Sequence, residues 1–155
     1  MKLAAAVLAA ALFASPALSQ EIVDGSKVDE VVAIAKGYGA ATLESQPDGA
    51  PRIAGSIGDM TYYVFFMNCA ADKACEDLNF YAAFADIKPT LDALNAWNRD
   101  KRFGNAYLDS DLDAAIEYDV NLEHGVTRDN LDAAFSLWSV LLQQYADYVG
   151  FTPAQ

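Results

Sequence analysis

The sequence predicts a two-layer α+β domain: a twisted antiparallel sheet of about six strands with three helices on one face, in the order α-β-β-β-β-α-β-β-α. Three observations predict it. Strand-prone runs follow one another through tight turns, which makes chain neighbours antiparallel. Three other segments repeat apolar residues with the helical period. The chain has 155 residues, 54% of them hydrophobic, enough for one core and about the size of one domain.

The first helix is expected over about 27–36. Ser26 and Asp29 have capping-box spacing, and Val28, Val31, Val32 and Ala35 share one face before Gly37 and Gly39 stop the helix. Ala41–Ser45 and Arg52–Ile57 read as strands joined by a turn at Gln46–Gly49. In that turn Pro47 presets one dihedral and Gly49 takes the left-handed one. Gly58-Asp59 is a second turn. It leads into Met60–Met67, the most strand-prone run, apolar on both faces and therefore expected in the interior of the sheet. Leu78, Phe80, Ala82 and Phe84 alternate with Asn79, Tyr81 and Ala83 in a fourth strand. Pro89-Thr90 opens a second helix that carries Leu91, Leu94 and Trp97 on one side and runs to about Lys101. Ala106–Leu108 and Ala115–Val120 are two more strands around a turn at Asp109–Asp113. Thr127 caps the last helix, with Val126 and Leu131 as a hydrophobic staple. Its stripe, from Leu131 through Phe135, Trp138, Leu142 and Tyr145 to Val149, holds for five turns, and 152–155 is a tail.

Residues 1–19 read as an address. Lys2 precedes an unbroken apolar run from Leu3 to Ala14, Ser15-Pro16 breaks it, and Ala17-Leu18-Ser19 supplies small residues for cleavage after Ser19. The run is well short of the ~20 residues that span a bilayer. The alternatives are an uncleaved anchor or a buried helix. The expectation is an exported chain, periplasmic or secreted, with 20–155 as its one domain and no membrane contact after cleavage.

Charge narrows the partners. Ten Lys+Arg against 22 Asp+Glu give a net charge of −12, and removal of Lys2 makes it −13. Such a chain repels phosphate backbones and anionic lipid, so no nucleic-acid partner is expected. Cys69 and Cys75, the two cysteines, fit a disulfide in an oxidising compartment. It would staple the hairpin between the third and fourth strands. One histidine is too few for the common zinc sets, and no C-x-x-C is present.

Each remaining motif has a plain reading beside its sharp one. Asp109-Ser110-Asp111-Leu112-Asp113 has the D-x-D-x-D opening of a calcium loop, but Ala114 stands where glycine is needed and Val120 where a bidentate glutamate is needed. Aspartates in a turn are also ordinary hairpin chemistry. His124 lies in an expected surface loop, and neither G-x-S-x-G nor a free cysteine offers it a nucleophile. The 22 acids allow many carboxylate pairs and single out none. No catalytic residue, metal site or cofactor is therefore assigned. The stretch Asn95–Phe103 is unusual: Arg99, Lys101 and Arg102 hold three of the chain's ten basic residues at a helix end. There they can answer the helix dipole, while Trp97 packs in the core and Asn95 and Asn98 bond to a neighbouring strand. The sharper reading makes Trp97, Asn98, Arg99 and Arg102 candidate binding residues for an anion or a peptide carboxylate.

These residues carry a resemblance. Tyr62–Cys69, Cys75–Ala82, Pro89-Thr90-Leu91, the segment Leu94–Gly104 (LNAWNRDKRFG), Ala106–Asp109 and Glu117–Leu122 resemble the YbjN-domain family of bacterial proteins, over about 28–150. The N-W-N-x-x-x-R-F core is the most specific part. The resemblance implies a fold like that of type III secretion chaperones, a twisted antiparallel sheet with helices, often paired as dimers. Members are labelled sensory transduction regulators, with no defined biochemical role and no catalytic residues to carry over. Many are cytoplasmic and lack an export signal, so this chain's signal and cysteine pair set it apart. The expectation is a non-enzymatic, chaperone-like or regulatory module that binds a protein or peptide through its sheet face or a helix groove, as a weak or stable homodimer. A small-ligand or metal sensor and a carboxylate-based hydrolase are the alternatives.

Overall fold

The structure, a computed structural model, describes residues 20–70 and 75–153. The expected export signal over 1–19 lies outside the described residues. The elements run β1 (Ile22–Val23), α1 (Val28–Ala35), β2 (Ala40–Ser45), β3 (Pro51–Ile57), β4 (Met60–Met67) and β5 (Asp77–Phe84). They continue α2 (Leu91–Asp100), β6 (Asn105–Leu108), β7 (Ala114–Asn121), β8 (Val126–Thr127) and α3 (Arg128–Val149). The six expected strands form an antiparallel sheet in the order β2-β3-β4-β5-β7-β6, and the three helices stand in their expected places. β2 to β5 form a meander. After α2 the chain builds the hairpin β6–β7 so that β7 lies against β5 and β6 becomes the edge.

Two features depart from the expected layout. β1 and β8 pair as a separate ribbon, Ile22 opposite Thr127 and Val23 opposite Val126. Two residues are too few to show a period, so only the tertiary pairing reveals them. The capping box of α1 does not form. The Asp24 Oδ1 accepts from both the amide (2.9 Å) and the hydroxyl (2.6 Å) of Ser26, and Lys27 takes the cap position without a side-chain bond. A local aspartate turn has out-competed the helix for the serine. The Thr127 cap forms as expected, its Oγ1 accepting from Asn130 N at 3.2 Å, and at the start of α2 Thr90 Oγ1 accepts from Ala93 N at the same distance. α3 ends at Gly150, whose φ of 75° closes the helix in the left-handed region while Phe151 N reaches back to Ala146 O.

The core lies between one face of the sheet and the helices. Phe80 meets Phe135 edge-on at 4.8 Å and Trp138 at 5.6 Å, Tyr62 meets Trp138, and Phe84 meets Tyr145. The ring of Tyr62 lies so close over Gly55, its cross-strand partner, that a Cβ there would overlap it. β4 sits inside the sheet, as expected. Its two apolar faces are not treated alike, however: Met60, Tyr62, Val64 and Phe66 are buried, whereas Tyr63 and Phe65 are half-buried and Met67 is exposed. The helices take one face only, and the second set of apolar side chains on β4 stays uncovered among the described residues.

Candidate interaction face

The uncovered face is built by cross-strand register. Tyr63 on β4 stands opposite Tyr81 on β5, which stands opposite Glu117 on β7. One rung along, Arg52, Phe65, Asn79 and Asp119 face one another across β3, β4, β5 and β7. The next rung is Met67, Asp77 and Asn121. Residues opposite each other in an antiparallel pair share a face, so these side chains form one surface. Its aromatic strip is continuous: Tyr63 and Phe65 have ring centroids 5.8 Å apart, and Phe65 and Tyr81 6.2 Å.

Two charge patterns border the strip. On the β3 side the Arg52 guanidinium lies 5.0 Å from the Tyr63 ring centre and binds Glu44 Oε2 at 2.8 Å. On the β7 side carboxylates stand among neutral donors. Tyr107 and Tyr81 donate to Glu117 (3.3 Å) and Asp109 (3.4 Å), Asn79 donates to Asp119 (2.8 Å), and Asn68 and Asn121 donate to Asp77 (2.7 and 2.8 Å). Burial, reinforced by the charge of Glu117, pushes the Tyr107 hydroxyl well above its ordinary titration range. Burial and then the charge of Asp109 raise Tyr81 as well. Both phenols therefore stay protonated donors at neutral pH. A depression of about 370 Å³ lies on this face, lined by Met67, Asn68, Asp77, Asn79, Glu117 and Asp119.

The end of α2 is organised differently. Trp97 is buried, meets Tyr145 at 5.0 Å and donates its Nε1–H to Gly104 O at 3.2 Å. The Asn98 amide pairs with both backbone groups of Ala106, accepting from N at 2.8 Å and donating to O at 3.0 Å. These two residues fasten α2 to β6. Arg99 is exposed and pairs with Asp100 at 2.9 Å, and Arg102 stacks over Phe103 at 5.5 Å. Trp97 and Asn98 are thus turned to the protein itself, and the two arginines are exposed.

A family model described as "Putative bacterial sensory transduction regulator" matches residues 27–151. The chain belongs to the YbjN family. The description assigns regulation and names no reaction. No curated protein matches the chain.

In this YbjN domain the remaining sequence motifs have structural partners. Cys69 and Cys75 form the expected disulfide, which bridges the loop between β4 and β5. Gly25 lies against the backbone of Cys75 so closely that no Cβ fits between them, which ties the loop to the start of the domain. In the Asp109–Asp113 turn, Asp109 Oδ1 accepts from the amides of Asp111 and Asp113, both at 2.9 Å. Asp113 Oδ1 accepts from Asp86 N and Lys88 Nζ. These carboxylates organise the turn and its contact with the 86–88 segment. His124 is exposed, with a φ of 66° in the turn before β8. Sequence reading missed Tyr63, Phe65, Tyr81, Asp77, Glu117 and Asp119 as candidates. Their signal was present as the second face of each alternating strand, but it acquires meaning only when one face is known to be bare.

Proposed function

We propose that this chain is an exported, non-enzymatic YbjN-domain protein that acts in regulation by binding a protein or peptide on the open face of its sheet. The observation that carries the reading is the aromatic strip Tyr63–Phe65–Tyr81 on a face without helical cover. Contiguous apolar surface rimmed by polar groups marks interaction sites on soluble proteins, and tyrosine and phenylalanine are favoured there. Each ring offers a large contact area at low entropic cost, and the two tyrosines keep a polar tip for orientation. The disulfide supports export, because such bonds persist in oxidising compartments.

A photo-cross-linking amino acid placed at Phe65, and separately at exposed Val140 on α3, tests the reading in the native host. Discrete adducts from position 65 and none from position 140 are expected. Equal labelling from both, or none from position 65, overturns it. The mass of the processed protein in a periplasmic fraction tests export: a chain beginning at Gln20 is expected, and an intact Met1 in the cytoplasm refutes it.

A further inference from the structure

The open face specifies the chemistry of its occupant, given that it is a binding face as argued above. We propose that it receives an extended cationic segment of a partner, lysine or arginine interleaved with apolar residues. Three observations carry this. First, the strip is bordered on the β7 side by Asp77, Glu117 and Asp119. All three are hydrogen-bonded by neutral amides or phenols, and none forms an ion pair with a cation among the described residues. Their donors fix their orientation without neutralising them.

Second, the face already holds one cation of its own in the geometry a partner would repeat. Arg52 lies over Tyr63 at 5.0 Å with Glu44 at 2.8 Å on its nitrogen. The ring face and the carboxylate each attract the cation. Tyr81 and Glu117, opposite each other on β5 and β7, set a ring beside a carboxylate on the same face, with no cation over that ring among the described residues. Third, the depression lined by exposed Met67 together with Asp77 and Asp119 suits a long side chain: the methylenes can lie along the thioether while the head meets the carboxylates.

The same charges exclude other occupants. A second copy docked with β7 against β7 would bring these carboxylates against their own images, and one docked with β7 against β3 would meet an Arg52 already paired with Glu44. Acidic peptides and nucleic acid would meet like charge on a chain of net −12.

Calorimetric titration of the oxidised protein with three short synthetic peptides tests the proposal. One alternates lysine with valine, one has serine in place of lysine, and one has glutamate. The lysine peptide should bind, more weakly as salt rises, with the serine peptide clearly weaker and the glutamate peptide silent. The double variant Asp77→Asn/Asp119→Asn removes both charges, keeps the bond from Asn79 and one of the two amide bonds at position 77, and should weaken the lysine peptide roughly fivefold, as expected for two partly exposed ion pairs. Phe65→Ser should remove binding of the lysine and serine peptides. Equal affinity for the lysine and serine peptides, no binding of the lysine peptide, or an affinity unchanged in the double variant overturns the inference. So does a dimer in light scattering that Phe65→Ser dissociates. Adducts from position 65 accompanied by any of the first three results sink the cationic partner alone, while absent adducts sink the binding face with it.

Discussion

Replacing Asn98 probes how the outer edge of the sheet is closed. β6 is an edge strand, and its Ala106 turns a buried N–H and C=O away from β7 toward α2. The Asn98 amide meets both, at 2.8 and 3.0 Å, as a further strand would. Each such neutral bond contributes about 0.5–1.5 kcal/mol net, so Asn98→Ala should cost about 2 kcal/mol in total. With a urea dependence of about 1–3 kcal/mol per molar, the unfolding midpoint should fall by roughly 1 M. Asn98→Asp separates the two bonds. Its carboxylate still accepts from Ala106 N but sets a second oxygen against Ala106 O, which raises the pKa of the new acid in the folded state above about 3.9. A raised acid destabilises only when ionised. The extra loss is therefore full at pH 7, shrinks as pH falls through the folded pKa, and vanishes below the unfolded one. Urea unfolding at neutral and acid pH, followed by tryptophan fluorescence, measures both effects. A midpoint for Asn98→Ala within ~0.2 M of the parent, or a gap for Asn98→Asp that does not close on acidification, would refute the clamp.

The other predictions concern the core and the staple. Trp97→Ala removes a buried ring and its bond to Gly104 O, and should cost about 3–5 kcal/mol by chemical denaturation. Reducing the Cys69–Cys75 bridge, or replacing both cysteines by serine, should cost roughly 2 kcal/mol through the entropy of a short loop, with the far-UV spectrum retained. The Tyr62 hydroxyl is buried without a hydrogen-bond partner among the described residues, so Tyr62→Phe should leave stability unchanged or raise it by up to about 1 kcal/mol. Burial pushes Tyr62 up to about 12 from an ordinary 10.0. The stability that depends on its neutral form is therefore complete below pH 10 and is lost as pH rises toward 12. A melting temperature that does not fall less steeply over that window in Tyr62→Phe than in the parent would contradict this.

Much of the scaffold was legible in order along the chain. Every long element announced itself through local chemistry: the alternation of Leu78 to Phe84, the stripe from Leu131 to Val149, the helix start at Pro89-Thr90, the cap at Thr127, the turn at Pro47–Gly49. These signals are local, acting within a turn or a pleat, so one sequence carries them. The α1 cap failed for the same local reason in reverse: Asp24, two residues before Ser26, offered a nearer acceptor. The bond of Asn98 to a neighbouring strand was also foreseeable, because asparagine inside a helix seeks backbone partners.

Composition and local pattern are enough for the α+β class, the helix and strand order, the cysteine pair and the acidic charge. Each depends on composition or on neighbours a few residues apart. Tertiary structure decided the rest: the strand order that sets β7 beside β5, the β1–β8 ribbon, and above all which face of the sheet the helices take. Period-two alternation assigns residues to two faces but cannot say which face is covered, and it gives the same reading when both faces of β4 are apolar. Only the packing of α3 against Tyr62, Phe80 and Phe84 makes Tyr63, Phe65 and Tyr81 the open side. Only the register then gathers carboxylates distant in the chain, Asp77 with Glu117 and Asp119, around those rings.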